Sequence, residues 1–433
     1  MASEYVTGGK QYAHSPERPS FEASAMPPCS VPQIMGIAAS RPTRRGRSCY
    51  SASGSWLAGR LAAGIAAVLL LATLPGGSAI GQAKTNHNNL QRVGELHVQG
   101  NPLASFDVGV VDGNIYALAD RSNHGVDLFN ATKDSFLGRA EGFTGTQITG
   151  GSADAGPNGL VAVGREQIWA GDGASDVKIV DLSSRQVIDT VATGGSHRVD
   201  GLAYDGRDHL VVAANNADKP PFLTFISTLG DRTVIGRLTL PQASAGLEMP
   251  VWDPATDLLY VPVPELNQRA AQGGVAVIDP RTRKLVRTIP VTKCVPAGLA
   301  IGPNRQLLVG CSDDAVAAGF RAKSMILDLR SGGVVRTFHQ VGGSDEVWFD
   351  KARGVYYLAA VGNPGGPVLG VIDARRDSWV ANVPTGPHAH SVAADGATGQ
   401  VFVPIAATKG DAQCDGGCIA LFRYQSGSRE SQR

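Results

Sequence analysis

The sequence is short of most features that announce a familiar chemistry. Its 433 residues carry 39 lysines and arginines against 38 acidic residues, and a net charge of +1 gives no field to attract nucleic acid or an acidic surface. No basic stripe with interleaved aromatics is visible, which argues against a groove for single-stranded nucleic acid. There is no glycine-rich phosphate loop and no serine-nucleophile elbow. The apolar run from Leu61 to Leu74 falls short of the roughly 20 residues that a membrane-spanning helix needs. Cysteines number six, and none sits beside a second ligand cluster with the spacing of a zinc site.

Glycine is abundant at 54 residues, well above the average share of about 7%, and with 25 prolines it points to many tight turns rather than long helices. The N-terminus reads as a targeting segment and is set aside from the fold. A basic cluster at Arg41, Arg44, Arg45 and Arg47 precedes the apolar run, and small residues follow at Gly77-Ser-Ala79 and Gly81-Gln-Ala83. Residues 1–56 are expected to be a disordered extension and signal n-region, with Met35 the better start. Residues 57–83 would then hold the hydrophobic region and cleavage site. This implies a periplasmic or secreted protein with no membrane span after cleavage. Cys29 and Cys49 precede the cleavage site, leaving Cys294, Cys311, Cys414 and Cys418, an even count that suits two disulfides in an oxidising compartment.

A search for internal periodicity settles the fold class. A short apolar strand ending at a turn recurs seven times, closing at Asn130, Asp181, Ser227, Asp279, Asp328, Asp373 and Arg423, at spacings of 51, 46, 52, 49, 45 and 50 residues. All but the last are followed by a turn and another strand, such as Gln186-Val-Ile-Asp-Thr-Val191, and each is preceded by two more. Four short strands per repeat make a propeller blade. The last repeat stops near Tyr424, and Arg92 to Val98 can supply its missing strand, closing the ring without an unpaired edge. The expectation is an all-β chain: a seven-bladed β-propeller of four-stranded blades over 90–425, with a disordered tail at 426–433.

The units Ile168 to Val191 and Val275 to Val291 resemble the YVTN-type repeats of the YncE-like propellers, although no Tyr-Val-Thr-Asn tetrad occurs. The resemblance implies a bacterial exported propeller, mostly without assigned activity. Marks of other propellers are missing. Trp252-Asp253 is a lone pair, no aspartate box occurs, tryptophans are not periodic, and Cys414-Asp-Gly-Gly-Cys418 lacks a haem-site histidine.

Ligands of propellers usually sit where the innermost strands begin. Aligning the blades puts Asp107, Asn158, Asp200, Glu248, Ala297, Asp345 and His390 at that position, with His197, His388 and Glu346 beside it. Carboxylates about 8 Å apart repel by roughly 2 kcal/mol at an effective dielectric of about 20, so several together must bind a cation, meet a positive ligand or take up protons. Asp107, Asn158, Asp200 and Glu248 are therefore candidate ligands for calcium, manganese or magnesium. His197, Asp345, Glu346, His388 and His390 are candidate ligand-binding residues. Lactonases of the gluconolactonase type hold a metal in a comparable channel, an analogy at the level of the fold.

Cys294 and Cys311 should meet at one end of their blade, because its first two strands run antiparallel. Cys414 and Cys418 should close a small loop in the last blade. Longer loops on the same face, 120–124, 215–221, 265–274 and 312–323, carry Arg121, Lys219, Arg269 and Arg321 and are placed for recognition. The expected function is a monomeric binding scaffold that meets a protein or small-molecule ligand at the channel mouth. A metal-dependent lactonase or esterase is the alternative, with metal-bound water as nucleophile.

Overall fold

Runs of four to six consecutive apolar residues recur down the chain, and in the computed structural model they are strands buried on both faces. Leu210–Asn215 and Val355–Ala360, for example, are buried at every position. The structure describes residues 89–146, 151–409 and 413–425. The expected signal segment (1–83) and tail (426–433) lie outside the described residues.

Seven four-stranded antiparallel sheets follow one another in sequence order. Their innermost strands are Phe106–Asp112, Leu160–Val163, Leu202–Asp205, Val251–Asp253, Pro296–Ile301, Val347–Asp350 and Ala393–Ala394, for blades 1 to 7. In blades 1 to 6 the strands run outward in chain order, ending for example at Gln186–Ala192 in blade 2 and Lys284–Thr292 in blade 4. Blade 7 takes its outermost strand from the start of the propeller. Leu90–Leu96 pairs antiparallel with Cys418–Tyr424, from Leu90 opposite Tyr424 to Leu96 opposite Ile419. The strand thus begins two residues before the expected Arg92, with a bulge between Arg92 and Gly94.

Burial follows position in the blade. Middle strands lie between neighbouring blades, so both of their faces are apolar. Outer strands alternate, as in Lys284–Thr292, because one face meets water. The closing blade packs on both sides. Tyr357, Val371, Val401 and Phe422 share one cluster across blades 6 and 7, and Tyr116 stacks on Phe402 at 4.5 Å between blades 1 and 7.

The acidic residue that ends most repeats has a local cause. Its carboxylate accepts N–H groups two and three residues on, fixing the turn to the outer strand. Asp279 does this with Arg281 and Thr282, Asp328 with Arg330 and Ser331, Asp373 with Arg375 and Arg376. Asn130 serves blade 1 in the same way. These bonds hold the carboxyls of Asp181, Asp279, Asp328 and Asp373 below the usual range.

Both expected disulfides are formed, Cys294–Cys311 and Cys414–Cys418. Cys294 lies just before the innermost strand of blade 5 and Cys311 ends that blade's second strand, so the bond ties the entry to blade 5 at the channel-mouth face. The 312–323 loop contains a short helix, Asp313–Ala317, that the repeat pattern does not announce.

Candidate functional site

Chain direction puts the beginnings of all seven innermost strands at one end of the channel, and backbone hydrogen bonds join three neighbouring pairs of them. The N–H of Gly159 donates to the carbonyl of Asp200 (2.9 Å), that of Gly298 to Asp345 (2.6 Å), and that of Glu346 to His390 (3.0 Å). The residue after the mouth position is therefore pressed against the next blade. A Cβ on Gly159 would lie 2.2 Å from the Asp200 carbonyl oxygen, and one on Gly201 would lie 2.6 Å from the Cα of Met249. Only glycine fits such approaches.

The side chains at these strand beginnings form a mixed-charge mouth. Arg121 lies in the loop that follows the second strand of blade 1. Its guanidinium contacts the Asp107 carboxylate and donates from Nε and Nη2 to Asn158 Oδ1 at 3.0 and 2.5 Å. Asn158 is wholly buried, and its Nδ2 donates to the carbonyls of Ala155 (2.9 Å) and Val199 (2.8 Å), so its amide is used in full. On blade 3, Arg198 Nη2 donates to Asp200 Oδ2 at 3.1 Å. Both residues are buried, at 6% and 8% exposure. Burial opposes the charge on Arg198, but Asp200, Asp107 and Glu248 outweigh it and raise its pKa.

On the blade 7 side, the His390 ring stacks flat on Phe106, with centroids 4.7 Å apart. Its Nδ1 donates to the His388 carbonyl at 2.7 Å, which leaves Nε2 facing Asp107 Oδ1 at 3.7 Å. Burial would keep this imidazole neutral, yet Asp107 and Asp345 raise its pKa. Asp107 is correspondingly held far below the usual range: burial pushes its pKa up, but Arg121, His390 and Arg198 together prevail.

Glu346 has the opposite environment. It is half-buried, and its pKa is raised well above normal by burial and then by Asp345, Asp107, Glu248 and Asp200. The mouth therefore gathers five carboxyl groups around two guanidinium groups and one imidazole. The cations stand on the blade 1, 3 and 7 side, and Glu248, Asp345 and Glu346 belong to blades 4 and 6. Ala297, buried between them on blade 5, adds no polar group.

The expected residues thus divide. Asp107, Asn158, Asp200, Glu248, Asp345, Glu346 and His390 are brought into one electrostatic neighbourhood. His197 stands at the rim, where its side chain is 43% exposed and pairs with Asp154 at 2.9 Å. His388 is also exposed, in a left-handed conformation (φ 55°) that offers its carbonyl rather than its ring to His390. Among the described residues, no three of the mouth's carboxylate and imidazole groups bring ligand atoms within 4.8 Å of one another. Arg198 went unnoticed in the sequence. Its signal was its place two residues before a mouth position, in Arg198-Val-Asp200.

No family model matches the chain, and no curated protein matches its sequence. Solved structures do match in shape. Hydrazine synthase of Kuenenia stuttgartiensis superposes with a TM-score of 0.57 at 15% identity, covering 71% of this chain and 95% of that one. A chain of the mitotic checkpoint complex superposes at 0.56 and 14% identity, covering 84% of this chain and 100% of the other. At such identities the likeness establishes the propeller fold and nothing finer.

Proposed function

We propose that this protein is an exported, YncE-like binding scaffold whose channel mouth holds a ligand bearing a positively charged group. The surplus of carboxyl groups facing Glu346 carries this reading. Asp345, Asp107, Glu248 and Asp200 all raise its pKa, whereas Arg121 and Arg198 are engaged with Asp107, Asn158 and Asp200. A cationic group entering beside Glu346 would take the place of its proton and relieve that repulsion. Asp345, Glu346 and Glu248 would meet the cation, and His390 would hold Asp107 in place. His197 and His388 would touch a ligand large enough to reach the rim. Propellers commonly bind proteins, so the cation could belong to a small molecule or to a lysine or arginine of a partner.

Two disulfides support an oxidising compartment, in keeping with a periplasmic or secreted protein. Among the described residues no helix is long and apolar enough to cross a membrane. A metal-dependent lactonase is less well supported. Asn158, Asp107 and Asp200 each touch a guanidinium, which would have to move aside before their oxygens could bind calcium, magnesium or manganese.

The test uses three probes that share a fluorophore and differ in charge: dansylcadaverine, dansylamide and dansylglycine. By fluorescence anisotropy with the exported protein, the cationic probe should bind about tenfold or more tighter than the others, and Glu346→Gln should weaken it by a similar factor. Tighter binding of the anionic probe, or no effect of Glu346→Gln or Glu248→Gln, would sink the proposal.

A further inference from the structure

The far face of the propeller carries a second group of carboxylates, between blades 3 and 4. Asp205 ends the innermost strand of blade 3, Asp208 lies in the turn that follows, and Asp257 ends the equivalent turn of blade 4. One carboxylate oxygen of each lies within 4.8 Å of the other two. Arg281 reaches in from the outer turn of blade 4, donating to Asp208 (2.6 and 3.2 Å) and pairing with Asp257 Oδ2 at 2.9 Å. Arg207 pairs with the same Asp257 Oδ2 at 3.0 Å.

Acidic turns of this kind recur around the far face, and three of them use both carboxylate oxygens. Asp253 accepts from the N–H of Ala255 and the hydroxyl of Thr256. Asp350 accepts from the N–H and the guanidinium of Arg353. Asp395 accepts from the N–H of Ala397 and the hydroxyl of Thr398. Asp205 differs. Its Oδ1 accepts from the N–H groups of Arg207 (2.9 Å) and Asp208 (3.1 Å), but Oδ2 is buried and accepts nothing, in a residue only 1% exposed. Asp257 Oδ1 is likewise buried without a hydrogen bond. Oδ1 of Asp205 thus serves the turn, and Oδ2 is left without a partner.

Two of these three neighbouring carboxylates therefore each keep a buried oxygen without a hydrogen bond, and a cation beside them would supply the missing partner. The two guanidinium groups leave the three carboxylates one charge short, and both lie against the other oxygen of Asp257. We propose that Asp205, Asp208 and Asp257 bind a hard divalent cation, best matched by calcium, between blades 3 and 4 on the face opposite the channel mouth. All the donors are carboxylate oxygens, which suit calcium better than zinc or copper, and the incomplete set leaves room for water in a flexible shell. Arg281 is 55% exposed on its side chain and can swing into solvent as the ion enters. The ion and Arg281 therefore compete, which places affinity in the weak range of about 10⁻⁴–10⁻³ M typical of extracellular calcium modules.

The site can be probed with terbium as a luminescent substitute for calcium, because Trp252 lies under Arg207 at 5.9 Å and can sensitise it. Terbium luminescence should saturate and be displaced by calcium, and about 10 mM calcium should raise Tm where sodium at equal ionic strength does not. Asp205→Asn keeps the acceptor for the turn and should weaken binding about tenfold or more. Asp257→Asn should do the same, and Arg281→Gln should tighten binding several-fold. The proposal is overturned if no saturable binding occurs, if Asp205→Asn leaves it intact, or if Arg281→Gln fails to tighten it. Binding lost in Glu248→Gln but kept in Asp205→Asn would put the ion at the channel mouth and overturn it equally. This site is independent of the proposed mouth ligand, so either can fail alone.

Discussion

Replacing Arg198 by methionine removes one of the mouth's two guanidinium groups and leaves its stem. Asp200, Asp107 and Glu248 all favour the arginine charge, and both Arg198 and Asp200 are buried. Removing one partner of such a pair strands the other charge, which costs about 3–5 kcal/mol. With an unfolding entropy of about 2 cal/mol/K per residue over roughly 330 residues, that loss lowers Tm by about 4–7 °C at pH 7. The double substitution Arg198→Met with Asp200→Asn should recover a large part of the loss, since the stranded charge is gone. Thermal melts of the four proteins at pH 7 give the coupling directly. A drop under about 1 kcal/mol at pH 7, or no recovery in the double variant, would refute the arginine's role as an internal counter-ion.

The Cys294–Cys311 bond spans 17 residues, and closing a loop of that size is worth about 3 kcal/mol, so Cys294→Ala with Cys311→Ala should show that loss in urea unfolding. Gly201→Ala, whose Cβ would lie 2.6 Å from Met249 Cα, should cost about 1–3 kcal/mol or more by the same assay. Asp373 is opposed by burial, but Arg376 and the turn N–H groups depress its pKa, so its contribution is present above about pH 3.9 and lost as pH falls through the folded value. Asp373→Asn should therefore cost about 1 kcal/mol at pH 7 and nothing in strong acid. Glu346 has a raised folded pKa, so its contribution is present below about pH 4.3 and lost as pH rises through the folded value. Glu346→Gln imitates the protonated form and should become more stable than the parent by a margin that grows with pH, as melts at several pH values will show.

Much of the fold was legible because most repeats end in a residue whose role is local. An apolar run closed by Asp279 or Asp373 is a buried strand running into a turn that the carboxylate ties off, and seven such units at even spacing leave little else to build. The disulfides were legible for a similar reason, since antiparallel neighbours bring Cys294 and Cys311 to one end of a blade. The mouth position was legible as a place, because every blade contributes its first inner residue there. The partners within the mouth were not. Arg121 read as a loose loop charge and Arg198 was passed over, because a long side chain reaching across a channel leaves no local pattern. His388 and His390 looked alike in sequence, yet the left-handed turn at His388 sends one imidazole outwards and leaves the other stacked on Phe106. The unused oxygens of Asp205 and Asp257 depend on contacts between blades, and no spacing within one repeat encodes them.

The excess of negative charge at the mouth can be measured at its most affected group. A carboxyl ¹³C titration of Glu346 in the purified protein should give a midpoint well above the ordinary glutamate value of about 4.3, lowered by Asp345→Asn and by Glu248→Gln. A midpoint at or below the ordinary value, indifferent to both substitutions, would contradict an acidic mouth and remove the basis for a cationic ligand there.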